Sequence, residues 1–253
     1  MCDALVMREC ATGHRTSYNK TSEHYIGGLK NETMMKTEMQ VDLDLMSFVE
    51  TNILPRYNAF GTSHGLAHVQ RVIANSLVLA RRMNADINMC YAIAAYHDLG
   101  MSGPRAIHHI TGGKILMADK RLTKWFSPQQ LRVMKEAVED HRASASHSPR
   151  SIYGKIVAEA DRDLDRDTVF RRAVEFGLEN YPEKSREQQW QRFYAHMKEK
   201  YSSAGYITLW IPNSPNEQKL KEIRGIIEQP QLLRQYFERF YQQATTNRDD
   251  SGN

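Results

Sequence analysis

The segment Ala94-Ala95-Tyr96-His97-Asp98-Leu99-Gly100 closes a run of almost uniformly apolar residues that begins at Cys90. A segment apolar on every side is buried, because it leaves no stripe for water. An imidazole and a carboxylate at its end are costly to bury unless a salt bridge, a hydrogen-bond network or a cation compensates them. Other ligand-type side chains also stand against apolar stripes. His68 lies one turn before Val72 in His64-Gly65-Leu66-Ala67-His68-Val69-Gln70-Arg71-Val72, His141 follows Met134 and Val138 on one helical face, and Asp161 borders Ile156, Val157 and Ala160. Neutral imidazole and carboxylate together suit Mn, Fe, Co or Zn, and carboxylate also suits Mg. Ligands this far apart in sequence need the whole fold to assemble them, so no short linear spacing could reveal the site.

The elements that must position them read as helices almost throughout from Val41. Leu43, Leu45, Phe48 and Ile53 lead into Pro55, and a periodic stretch runs from Leu66 to Met83. Asp86 is placed to cap the buried helix that ends at Asp98. Pro104 and Arg105 open a loop into a segment reaching Ala118, and Ser127-Pro128 is a capping residue followed by proline at the first helical position. Further helices are expected over Ser151–Leu164, Thr168–Asn180, Ser185–Tyr201, Pro215–Glu228 and Leu232–Ala244. In the third of these, Trp190, Phe193 and Tyr194 mark an apolar face for the core. Only Tyr206-Ile207-Thr208-Leu209-Trp210-Ile211 has strand character, and one isolated strand makes no sheet. The expectation is therefore all-α: one helical bundle over residues 41–245 that includes additional C-terminal helices. Residues 1–40, polar and without periodicity, are expected to be a disordered leader, and Met34, Met35 and Met39 offer alternative starts. Residues 246–253 are expected to be a disordered tail.

Composition narrows the function classes. A formal charge of +4 over 253 residues is too modest for a nucleic-acid polymer as partner, which calls for a concentrated basic stripe. Basic residues could still serve a small phosphorylated molecule. No apolar run of membrane-spanning length is present, so no membrane partner is expected. Cys2, Cys10 and Cys90 show neither ligand spacing nor an even disulfide framework, usage that fits a reducing cytoplasm. The composition is compatible with a homo-oligomer.

Taken together, these segments resemble the HD-domain superfamily of metal-dependent phosphohydrolases, whose signature is a histidine, a His-Asp doublet and a distant aspartate. His64-Gly65-Leu66-Ala67-His68 is similar to the first-ligand helix, Ala95-Tyr96-His97-Asp98-Leu99-Gly100 to the doublet segment, and Lys155-Ile156-Val157-Ala158-Glu159-Ala160-Asp161 to the closing segment. The resemblance spans roughly Leu45 to Phe176 and implies His68, His97, Asp98 and Asp161 as metal ligands. On spacing alone, Asp163 and Asp165 compete with Asp161, and His109 competes with His108. His108-His109-Ile110-Thr111-Gly112-Gly113 and Ala137-Val138-Glu139-Asp140-His141 resemble the segments that carry extra histidines in di-metal branches, which makes His108 and His141 candidates for a second metal. Met101 stands where the five-prime nucleotidase branch has an acid, so no catalytic carboxylate carries over there.

The implied activity is hydrolysis of a phosphoester or phosphoanhydride in a small, nucleotide-like substrate, with Mn, Mg, Co or Fe as the cation. Asp98 would double as ligand and proton acceptor, and His141 would hold a second ion or protonate the leaving oxygen. Arg71, Lys114 and Arg142 are the candidates for holding phosphate, with Arg162 also in view. His64 reads as a loop or capping residue. A di-iron oxygenase and a non-catalytic nucleotide sensor are the alternatives that the same residues leave open.

Overall fold

The computed structural model describes residues 40–144 and 147–251. All but the last residue of the expected leader, residues 1–40, lies outside the described residues. Among the described residues there are ten α-helices and no strand, in keeping with the all-α expectation. The first six are α1 (Leu43–Asn52), α2 (Leu66–Met83), α3 (Ile87–Tyr96), α4 (His108–Ala118), α5 (Pro128–Asp140) and α6 (Ile152–Ala160). The C-terminal four are α7 (Arg166–Asn180), α8 (Arg186–Tyr201), α9 (Pro215–Ile227) and α10 (Pro230–Ser251).

Side-chain caps explain where many of the helices start. Asp42 accepts from Leu45 N, and Asp86 accepts from Asn88 N and Met89 N, satisfying amides that have no partner within the helix. Ser127 with Gln130, and Ser185 with Gln188, form reciprocal capping boxes at α5 and α8. Asn84 ends α2 in the left-handed region, φ 49°, which asparagine tolerates better than most residues. The expected helix from Ser151 stops at Ala160 rather than Leu164, and the last helix runs on to Ser251, into the expected tail. Residues 252–253 lie outside the described residues.

α3 is the hub. Every residue in it but Asn88 is buried, and it packs against α1, α2, α4, α5 and α6. Together these helices enclose one apolar core. A second core lies among α7–α10, built around Phe170, Trp190, Phe193 and Phe237. The aromatic face of α8 is thus buried, against its C-terminal neighbours.

Tyr206–Ile211, the segment with strand character, is irregular because no neighbouring strand is there to pair with it. A side chain takes the place of the ladder. Glu159, on α6 and fully buried, accepts the N–H groups of Trp210 and Ile211 on Oε2 at 2.7 and 2.8 Å, and its carbonyl accepts from Asn216 Nδ2. This carboxylate ties the approach to α9 onto the helix that delivers Asp161. Glu159→Leu should lower stability by about 3 kcal/mol, because two backbone donors would be left without an acceptor. Urea denaturation measures the loss, and Glu159→Gln, which keeps an acceptor oxygen, should lose less.

Candidate metal centre

The doublet sits where α3 ends. His97 caps the helix and Asp98 begins the next turn. Tyr57, fully buried, braces this point: its hydroxyl donates to Ala95 O at 2.9 Å and accepts from Asp98 N at 3.3 Å. α4 must come unusually close for His108 to reach the same place. A Cβ on Gly100 would meet His108 O at 1.9 Å, and one on Gly112 would meet His97 O at 2.9 Å. Only glycine fits at Gly100 without moving the helix. α5 delivers His141 at its C-terminus, and the preceding Asp140 is held by Arg150 N and Nε at 2.7 and 2.9 Å. Asp161 caps α6, and Asn75 on α2 donates to the neighbouring Ala160 carbonyl.

The six expected ligands converge. His68 Nε2 lies 3.1 Å from His97 Nε2, 3.3 Å from Asp98 Oδ2 and 3.2 Å from Asp161 Oδ1. On the other side, His108 Nε2 and His141 Nε2 lie 3.0 Å apart, and 3.5 and 3.4 Å from Asp98 Oδ1. Asp98 therefore faces His64, His68 and His97 with Oδ2 and His108 and His141 with Oδ1. Three groups, His64–His68–Asp98, His68–His97–Asp161 and Asp98–His108–His141, each bring their ligand atoms within 4.8 Å of one another, which suits a divalent cation.

The ring nitrogens support the same fit. His97, His108 and His141 each donate Nδ1–H to the carbonyl three residues earlier, those of Ala94, Arg105 and Val138. That leaves Nε2 as a bare acceptor in each neutral ring, the orientation a metal-ligating histidine takes. Two bare Nε2 atoms 3.0 Å apart, as in His108 and His141, repel unless a proton or a cation lies between them. Burial and the neighbouring His141 push His108 down to about 4, while the Asp98 contact outweighs burial and raises His141. Burial opposes charge on His68 as well, but Asp161 and Asp98 raise it to about 9. Burial would also raise Asp98, yet His97, His141, His64 and His68 hold its carboxyl well below the usual carboxylate range.

The centre opens into a cleft of about 630 Å³ whose far wall is built by α7 and α8. His68, Asp161 and Arg71 line it, together with Arg105, Arg162, Arg172, Arg192 and Lys200. Arg71 reaches His68 Nδ1 at 3.1 Å and Asp163 at 3.0 Å. The other two expected phosphate-binding residues lie elsewhere. Lys114 points to solvent, because Gly112, Gly113 and Leu116 take the inward face of α4. Arg142 is exposed, donates to Ala106 O, and borders a separate depression of about 210 Å³. Of the competing aspartates, Asp163 pairs with Arg71 and Arg172, while Asp165 caps α7 by accepting from Thr168 N. His109 belongs to none of the ligand groups, whereas His108 does.

His64, expected as a loop or capping residue, does lie in the short turn that leads into α2, but it also sets Nδ1 2.7 Å from Asp98 Oδ2 at the edge of the cleft. The one available signal was its position four residues before His68, and a helix-capping residue could share that spacing.

Metal binding must displace the protons that these imidazoles hold. Affinity for Mn²⁺ should therefore rise with pH from 6 towards 9, by roughly tenfold per unit for each proton released, as titration calorimetry in several buffers would show. The sign reverses for the metal-free protein. The raised His68 stabilises the fold fully below its ordinary value of 6.5, and that contribution fades as pH climbs through about 9. His141→Ala should reduce bound metal without abolishing it, since His68, His97 and Asp161 stay intact; elemental analysis checks this, and complete loss would show that the two halves fill together.

Residues 65–164 match the family model described as HD domain. No curated protein and no solved structure matches the chain. The matched span begins just before α2 and ends at Leu164, so it holds His68, His97, Asp98, His108, His141 and Asp161, whereas His64 and α7–α10 fall outside it. An ordered series of histidines and aspartates, converging at the ends of buried helices in an all-α fold, coincides with that match: the chain carries an HD domain at residues 65–164.

Proposed function

We propose that this protein is a metal-dependent phosphohydrolase acting on a small, nucleotide-like phosphorylated substrate. The observation that carries the reading is Asp98, whose two oxygens face separate sets of imidazoles behind a basic cleft lined by His64, His68 and Asp161. His68, His97, Asp98 and Asp161 would hold one cation, and His108, His141 and Asp98 a second. A bound cation supplies Lewis acidity toward water and neutralises charge on a phosphoryl oxygen.

The remaining roles follow from access and charge. His141 is 2 % exposed and enclosed by His97, His108 and Asp98, so it serves as a ligand rather than as an acid toward a leaving group. Asp98 is held so firmly ionised that it acts as a bridge and is a poor proton acceptor. His64 touches Asp98 and opens to the cleft, and it is the better placed group to take a proton from the attacking water. Arg71 and Arg105 line the same opening and would hold phosphoryl oxygens. Phe176, half exposed on the cleft wall, gives a flat base a ring to stack on.

A screen of nucleoside mono-, di- and triphosphates with Mn²⁺, Mg²⁺, Co²⁺ and Fe²⁺ tests the reading. Turnover should require metal, and Asp98→Ala should lose bound metal and activity together. Full activity in the metal-free protein would refute the mechanism. Iron-dependent consumption of dioxygen with no phosphate release would instead favour the di-iron oxygenase chemistry that the same donor set can host.

A further inference from the structure

Among the cations that line the cleft, Arg162 and Lys200 differ from their neighbours. Arg71 and Arg172 share Asp163, at 3.0 and 3.6 Å. Arg192 is held by the Ala173 carbonyl and Gln189. Arg162 is 8 % exposed, donates to the Ala158 carbonyl, and leaves Nε buried without a partner. Lys200, at the end of α8, lies over the Tyr201 ring, 5.1 Å from its centroid. Neither forms an ion pair among the described residues; Arg105 and Arg192 form none either, but Arg105 is exposed and Arg192 has partners on both Nε and Nη2.

A covered guanidinium with no counter-charge is costly, because little water remains to solvate it. Burial is the main influence on both side chains and disfavours their charged forms. Asp161 supplies the larger offsetting negative field for both, Glu159 adds to it at Arg162, and Lys200 also feels the repulsion of Arg162. Asp161 is one of the metal-centre carboxylates, however. Once its charge is committed to a cation, Lys200 has no anion of its own, and Arg162 keeps only Glu159, whose Oε2 is engaged by the amides of Trp210 and Ile211.

We propose that Arg162 and Lys200 form a second anion-binding subsite, so that the preferred substrate carries a further anionic group beside the phosphoryl group at the metal centre. The chemical class is a diphosphate-containing compound or a phosphorylated carboxylic acid. Arg162 can offer a planar fork to either group, and Lys200 a point charge from the opposite wall. The two come from different parts of the chain, one beside α6 and one on α8, so the subsite exists only when the C-terminal helices close the cleft.

The proposal rests on the phosphohydrolase reading for the nature of its anion, but its test does not need turnover. Orthophosphate, diphosphate and phosphonoacetate are titrated calorimetrically into the full-length protein at fixed free Mn²⁺. Diphosphate should bind about tenfold or more tightly than orthophosphate, the worth of one additional charge-assisted contact. Lys200→Gln should erase that preference while metal content stays unchanged and orthophosphate affinity stays within about twofold. Phosphonoacetate following diphosphate would identify any second anion as sufficient, and phosphonoacetate following orthophosphate would identify a second phosphate. Arg162→Lys, with its thermal melt recorded alongside, provides a second variant that keeps the charge and removes the fork, and it should lose most of the preference. Equal affinity of the wild-type protein for orthophosphate and diphosphate would overturn the subsite, as would equal weakening of both ligands by Lys200→Gln. If no phosphoester is hydrolysed but the preference and its Lys200 dependence persist, the catalytic reading falls and the subsite stands.

Discussion

A single buried carboxylate organises the centre of this protein. Asp98 is 2 % exposed and has imidazole nitrogens from His64, His68, His97, His108 and His141 within 3.5 Å. An ionised carboxylate in that setting is tolerable only because so many donors or a cation surround it. Conversely, five imidazoles would repel one another without an anion among them. The arrangement therefore needs all of its parts, and the helices that deliver them are fixed by that requirement as much as by their apolar faces. Tyr57 adds a check on the geometry, since its hydroxyl is shared between the end of α3 and the Asp98 amide.

Close packing sets the distances. Gly100 and Gly112 remove the atoms that would hold α4 away from the doublet, and His108 enters the cluster as a result. The Asp140–Arg150 pair does the corresponding work for His141, joining the end of α5 to the chain that leads into α6. Three of the imidazoles are oriented by carbonyls of their own preceding turn. Those local bonds hold each ring with Nε2 turned toward the cluster.

The C-terminal helices give the centre its cleft. They lie outside the matched HD domain and have their own aromatic core, yet α7 and α8 contribute Arg172, Phe176, Arg192 and Lys200 to the wall facing Asp161. Glu159 links the two regions at the base of that wall by accepting the amides of Trp210 and Ile211. The ligand set and the surface that would select a substrate are thus separate in sequence and joined by one buried carboxylate.

Much of this was legible in the chain itself. An apolar run ending in His97-Asp98 can only be a buried helix with a charge to compensate. Asp86, Ser127 and Ser185 announce helix starts because capping is a local interaction. The order of His68, His97, Asp98 and Asp161 carried the family resemblance for the same reason: ligand type and helical phase are properties of short segments. What the chain could not declare was which polar side chains share a space. His64 reads as a loop or capping residue until the fold sets it against Asp98, and Lys114 and Lys200 are equivalent as helical lysines. Only packing turns Lys114 to solvent and Lys200 into the cleft. The residue types and helices were thus determined by the sequence through local hydrogen bonding and periodicity. The sharing of Asp98 and the composition of the cleft were decided by tertiary structure, because both depend on how closely helices distant in the chain can approach.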